Sequence, residues 1–264
     1  MPSQPATTLR GSLPYRASRR DPRFSYCLYL PAAGALEATS PAPLLVLIHG
    51  HDRDAAGLRD RFIRFAERSG VVLMAPLFPA GLPEARDWEN FALLHRGSVH
   101  FDQVLLAMVD EVVAEYGVAE RFMLFGLGAG GSFAQRFGLF HPERLWALSV
   151  AAPDAVTLPD PGQDWPTGVA GVAERLGVEL RWGAMQQLAL HLVVGAETAG
   201  TAPDEGDATA VAGASVAEVQ RLSQHFWRRG VAVRLDVVPG AHREAAALLP
   251  ASQVFFRRVL RGER

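Results

Sequence analysis

The segment RFMLFGLGAGG, residues 121–131, places glycine at 126, 128, 130 and 131 between an apolar run and a stretch with helical patterning. Glycines let a strand bend sharply into a helix, and the first N–H groups of that helix have no partner within it, so they can face developing negative charge. Gly128 sits at the bend and offers no atom that could bond an electrophilic carbon, so covalent nucleophilic chemistry has no starting point there. Ser132 falls four residues later, inside the first turns of the helix, away from the exposed tip that makes a bend residue reactive. His242, in VVPGAHRE, follows the last apolar run, and an imidazole can take and return a proton near neutral pH. Gly126, Gly128 and Gly131 also spell GxGxxG. That unit lies mid-chain, and the acid nearest the distance a dinucleotide site needs, Asp154, comes after a proline past the end of the next strand. GLGAGG lacks the lysine of a phosphate-binding loop, and the single cysteine, Cys27, supports neither a disulfide framework nor a zinc site. No cofactor and no metal are expected.

The elements that must position these residues alternate along the chain. RFSYCLYLP, LLVLIHG, VVLMAPLF, RFMLFGL, LWALSVAAP, LALHLVVG and VAVRLDVVP read as strands, several apolar throughout, as strands covered on both faces are. Helical patterning falls between them, at 54–69, 98–117, from 129 to just before Pro142, around 216–229 and from about 243 to 260. Strand and helix in turn predict an α/β fold with a mostly parallel central sheet and helices on both faces. Residues 1–20 read as a flexible N-terminal arm or a strand approach, and residues 21–264 as a single domain. Within it, about 154–187, with Trp165 and Trp182, reads as a small cap insertion over one end of the sheet. The stretch at about 198–215, rich in Ala, Gly, Thr and Asp, reads as a flexible loop. Trp165 and Trp182, with Trp88 and Phe91 from the connection 79–97, either line an apolar pocket or fix the cap to the body.

RFSYCLYLP and LLVLIHGHDRD before the glycine turn, the turn itself, and HPERLWALSVAAP after it resemble the esterase-like α/β hydrolases related to polyhydroxyalkanoate depolymerases. The resemblance covers most of the chain from about Asp21. It implies the α/β-hydrolase fold, a triad in the order serine, acid, histidine, and an oxyanion hole. In those hydrolases the turn reads GxSxG; here Gly128 stands where the serine would be. The histidine of the triad corresponds to His242 and its acid to Glu197, with Asp154 as the alternative, since some members take the acid from the preceding strand. Oxyanion donors are implied at the backbone N–H groups of Ala129 and of His51, the residue after His49 and Gly50. His51 and Asp52 also face the implied pocket, either as site groups or simply as loop polar groups.

Composition narrows the partners. With 49% hydrophobic residues, 20% charged residues and a net charge of -2, the chain has neither the bias of a disordered segment nor the clustered excess Lys and Arg of a nucleic-acid or anionic-membrane binder. No apolar run reaches the ~18 residues of a membrane span, the first twenty residues lack the apolar core of a secretory signal, and a cytoplasmic location is expected. A small-molecule substrate is expected, with a homodimer allowed. Three functions remain open: a cofactor-independent enzyme using His242 as general base and an oxyanion site; a binding protein that keeps the pocket without the chemistry; or a serine hydrolase whose elbow serine was replaced by engineering.

Overall fold

The computed structural model describes residues 9–32, 41–85, 87, 90–197, 213–241 and 245–263. Nine strands form one sheet among them. In chain order these are β1 (Gly11–Ser12), β2 (Arg16–Ala17), β3 (Ser25–Leu30), β4 (Leu44–Ile48), β5 (Val72–Leu77), β8 (Phe122–Leu127), β9 (Leu145–Ala151), β10 (Ala189–Glu197) and β11 (Val233–Ala241). A separate hairpin pairs β6 (His95–Arg96) with β7 (Val99–His100). The sheet order is β1-β3-β5-β4-β8-β9-β10-β11, with β2 also on β3. From β5 to β11 all neighbours are parallel, whereas β3 runs antiparallel to β5.

Alternation along the strands divides the core into two layers. Leu44, Val46 and Ile48 of β4 face one layer, and Leu45 and Leu47 the other; all five are fully buried. Removing each such side chain from water contributes about 1.5–3 kcal/mol. The first layer packs under α3 (Phe101–Tyr116), α4 (Ala129–Phe140) and α7 (Val216–Trp227), and the second under α1 (Ala55–Arg61), α2 (Ile63–Ser69) and α8 (Ala245–Leu260). The ends follow local rules. Asp54 accepts from Gly57 N–H to cap α1, Ser215 and Glu218 form a capping box on α7, and left-handed Gly70 and Gly117 end α2 and α3.

Of the two readings of the N-terminal segment, residues 9–20 follow the strand approach and not the arm: β1 and β2 pair with β3, Arg16 holds Glu115 through two bonds of 2.8 and 2.7 Å, and Ser18 Oγ donates to Glu111 at 3.0 Å. An otherwise unpaired edge strand recruits this segment, and charge-assisted bonds fasten it. The insertion 154–187, after Asp154 at the bend, lies against α4. It runs down the flank of α4, where Gln135 Nε2 donates to Thr157 O at 2.8 Å, Arg136 Nε donates to Thr157 Oγ1 at 2.9 Å, and Trp165 packs on Phe140 with ring centroids 5.5 Å apart. Its short helices, α5 (Val172–Leu176) and α6 (Trp182–Met185), continue that way, α6 reaching the 3-10 turn Pro142–Arg144 past the end of α4. Most of the loop expected at 198–215 lies outside the described residues. Among the described residues, no helix is long and apolar enough to cross a membrane.

Candidate active site

The bend between β8 and α4 is built around close backbone contacts. Gly128 has φ 60° and ψ −119°, a conformation that L side chains resist. Its N–H donates to Ala151 O at 3.0 Å, and its carbonyl accepts from Ser132 N–H at 3.0 Å and Asp154 N–H at 3.3 Å. The bend is thereby pinned to the end of β9. Neighbouring glycines permit the approach: a β-carbon on Gly126 would strike the carbonyl of Gly130, and one on Gly130 would strike those of Ile48 and His49. Ala129 opens α4, so its N–H has no acceptor one turn back and is available at the bend.

From β4 comes the sequence His49, Gly50, His51. His49 is 1% exposed; its Nδ1 lies 2.7 Å from Gly50 O and its Nε2 accepts the Phe78 N–H at 3.0 Å. Burial pushes this imidazole down to about 4, so at neutral pH it is an uncharged strut between the ends of β4 and β5. His51 behaves differently. Its Nε2 lies 2.6 Å from Asp154 Oδ2, with the two side chains 18% and 9% exposed. Arg53, at φ 52°, donates to His51 O at 3.0 Å and to Phe78 O at 3.2 Å, which fixes the loop that presents the imidazole.

Sheet order explains the meeting of His51 and Asp154. β4 and β9 flank β8 on either side, so residues just beyond their carboxyl ends converge over the start of α4. Gly128, Ala129, His51 and Asp154 thus form one cluster. Glu197 does not join it: exposed at the end of β10, its Cα is in register with Ala241 of β11. His242 and Trp88 lie outside the described residues. Ser132 is 1% exposed, and its Oγ donates to Ala155 O and accepts Ala155 N–H, both at 2.9 Å. That hydroxyl is consumed in holding the segment after Asp154. The aromatic residues do not gather at the bend: Phe91 is buried against His49 at 5.0 Å, and Trp182 lies against Arg229 at 4.8 Å.

A second set has the residue types of a hydrolase triad. Ser149 Oγ lies 2.9 Å from His191 Nδ1 and 2.9 Å from Ser252 Oγ, while His191 Nε2 is 3.2 Å from Asp236 Oδ2. Ser149, His191 and Ser252 are fully buried between sheet and α8. His191 is pushed down to about 4 because burial outweighs the pull of Asp236. Without access for a substrate, the network serves the core, where satisfied polar groups fix the seating of α8.

Neither a protein-family model nor a curated protein matches the chain. Solved structures do. Poly(aspartic acid) hydrolase-1 from Sphingomonas sp. KT-1 superposes with a TM-score of 0.66 at 18% identity, over 88% of this chain and 92% of that one. LpqC, a poly(3-hydroxybutyrate) depolymerase from Bordetella parapertussis, gives 0.61 at 22% identity over 96% and 88%. An alpha/beta hydrolase from Novosphingobium aromaticivorans gives 0.54 at 13% over 96% and 99%. With its mostly parallel sheet, helices on both faces and these neighbours, the chain has the α/β-hydrolase fold.

Proposed function

We propose that the protein is an enzyme acting on a small apolar carbonyl or ester compound without an acyl-enzyme, Gly128 standing at the position of the elbow serine in related hydrolases. The observation that carries this reading is the His51–Asp154 pair beside a bend that has no side chain. Asp154 takes the role first assigned to Glu197, because its carboxylate reaches an imidazole at the bend. A carboxylate on Nε2 selects the tautomer protonated there, which leaves Nδ1 of His51 as the base. Water above Gly128 gives its proton to Nδ1 as its oxygen bonds the carbonyl carbon. The resulting oxyanion is held by the Ala129 N–H, a donor worth roughly 3 kcal/mol in working enzymes. Collapse of the adduct breaks the bond to the leaving oxygen, which takes the proton back from the imidazolium. Abstraction of an acidic C–H by the same base, with an enolate in the oxyanion site, serves elimination, isomerisation or cyclisation equally.

His242, directly after β11, is the other imidazole of the proposal. Turnover of a panel of esters, lactones and thioesters by the unaltered protein, His51→Ala and His242→Ala tests it. Loss of an acting base lowers turnover by roughly 10²–10⁴-fold. Unchanged turnover in both variants, or tight binding without conversion in the unaltered protein, overturns the enzyme reading; the latter result favours a ligand-binding protein on the same scaffold.

A further inference from the structure

At the opposite end of α4 from Gly128 lies a cluster that the proposed chemistry does not use. The hairpin of β6 and β7 puts His95 and His100 in register, their ring centroids 4.2 Å apart. Asp102, in the first turn of α3, comes up beneath them and is 1% exposed. Ligand atoms of His95, His100 and Asp102 all lie within 4.8 Å of one another.

The polar contacts within the cluster are uneven. His141 Nε2, just past the end of α4, lies 2.8 Å from Asp102 Oδ2. His95 Nε2 lies 2.9 Å from Oδ1, yet that buried oxygen has no aligned hydrogen bond. At Zn–N and Zn–O distances of about 2.0–2.1 Å, tetrahedral geometry sets ligand atoms roughly 3.3 Å apart, between the 2.9 Å of the His95–Asp102 contact and the 4.8 Å that bounds the three ligand atoms, so small side-chain shifts would bring all three onto one ion. His100 precedes α3 but makes no side-chain capping bond to it, so its ring is not occupied in closing the helix. A carboxylate oxygen buried without a hydrogen bond is costly unless a cation meets it.

We infer that His95, His100 and Asp102 form a binding site for a divalent cation of the zinc class. Two imidazoles and a carboxylate are the donor set that zinc and its borderline neighbours favour, and three protein ligands leave a position open to water on the exposed side of His100. His141 would hold the carboxylate from behind, as outer-shell partners of metal ligands do. The thirteen residues from Gly128 to His141 rise about 20 Å along the helix, which separates this ion from the bend. Its task would be to tie the hairpin to α3 and to the far end of α4. The cysteine count gave no hint of it, because the donors come from a hairpin and the helix it leads into.

Chelator-treated protein titrated with Co²⁺ tests the site, read by visible ligand-field absorption, with Zn²⁺ added afterwards in competition. Expected are one equivalent of Co²⁺ bound with nitrogen–oxygen ligand-field bands, their loss on adding Zn²⁺, and a higher unfolding temperature in Zn²⁺. His100→Ala, at an exposed position, should fold with unchanged circular dichroism and bind Co²⁺ at least tenfold more weakly; His141→Ala should weaken binding by about 10–100-fold. Absence of bands and of any thermal shift in the unaltered protein overturns the inference. So does stoichiometric Co²⁺ binding that His100→Ala and His95→Ala leave unaltered.

Discussion

Asp154 Oδ1 stands 3.4 Å from where a β-carbon on residue 128 would sit, and among the described residues it is the one heavy atom within 4 Å of that point outside the bend's immediate neighbours. Among the described residues, the space above Gly128 admits a small side chain, and the first group that side chain would meet belongs to the carboxylate bonded to His51. The bend and the Asp154 carboxylate are adjacent. In the proposed reaction, a water molecule or a substrate atom takes the place a serine hydroxyl would fill.

Gly128→Ser should consequently fold. Its cost is the strained backbone at φ 60° and ψ −119°, about 1–3 kcal/mol. A fluorophosphonate probe should label the variant at position 128 and leave the unaltered protein untouched, as mass spectrometry of the intact chain would reveal. Labelling of the unaltered protein at any residue of the bend or of α4 would remove the basis for a mechanism without an acyl-enzyme.

Asp154→Asn keeps the shape of the side chain but removes the charge that orients His51. If the pair acts as proposed, turnover falls by roughly 10²-fold or more while KM changes little, since the group acts on the base and not on ground-state binding. Glu197→Gln is the control, its side chain being exposed on β10, and should stay near full activity. The reverse ranking of the two variants would restore Glu197 as the acid.

Legibility in the sequence followed how local each feature was. Continuous apolar runs such as Leu44–Ile48 and the glycine turn at 126–131 announce buried strands and a strand-to-helix bend through neighbours in sequence, and so the architecture was readable. The partnership of His51 with Asp154 was not, because it depends on β4 and β9 lying on opposite sides of β8, and strand order is a long-range property. Chain order favours Glu197 by resemblance, whereas the sheet sets the alternative acid, Asp154, beside His51. The same limit hid the destination of 154–187: its polar partners Gln135 and Arg136 lie on α4, on a face that periodicity alone does not distinguish from core.

Ser149→Ala separates the buried serine–histidine–aspartate network from the site at the bend. The hydroxyl lies between His191 and Ser252 in a fully buried setting, so its removal leaves polar partners short of a bond at a cost of about 1–3 kcal/mol. Chemical denaturation should register that loss, and turnover at 25 °C should be unchanged. A large fall in turnover with intact stability would relocate the active site to the core network.

Stability against acid should carry the signature of two buried imidazoles. His49 and His191 are both pushed down to about 4 by burial, from an unfolded value near 6.5. Above the unfolded value both states are neutral at these groups, and the full stability is present. Between about pH 6.5 and 4 the unfolded chain binds protons that the native chain refuses, so stability falls as pH falls, by up to roughly 3 kcal/mol for each histidine. Urea unfolding at pH 7.5, 6 and 5 should give falling midpoints. Substituting His191 with Gln should flatten the slope by the share of one proton while lowering the midpoint at pH 7.5, because a buried partner of Ser149 is disturbed. A midpoint that holds constant from pH 7.5 to 5 would mean that these imidazoles titrate alike in both states and are not enclosed as the fold places them.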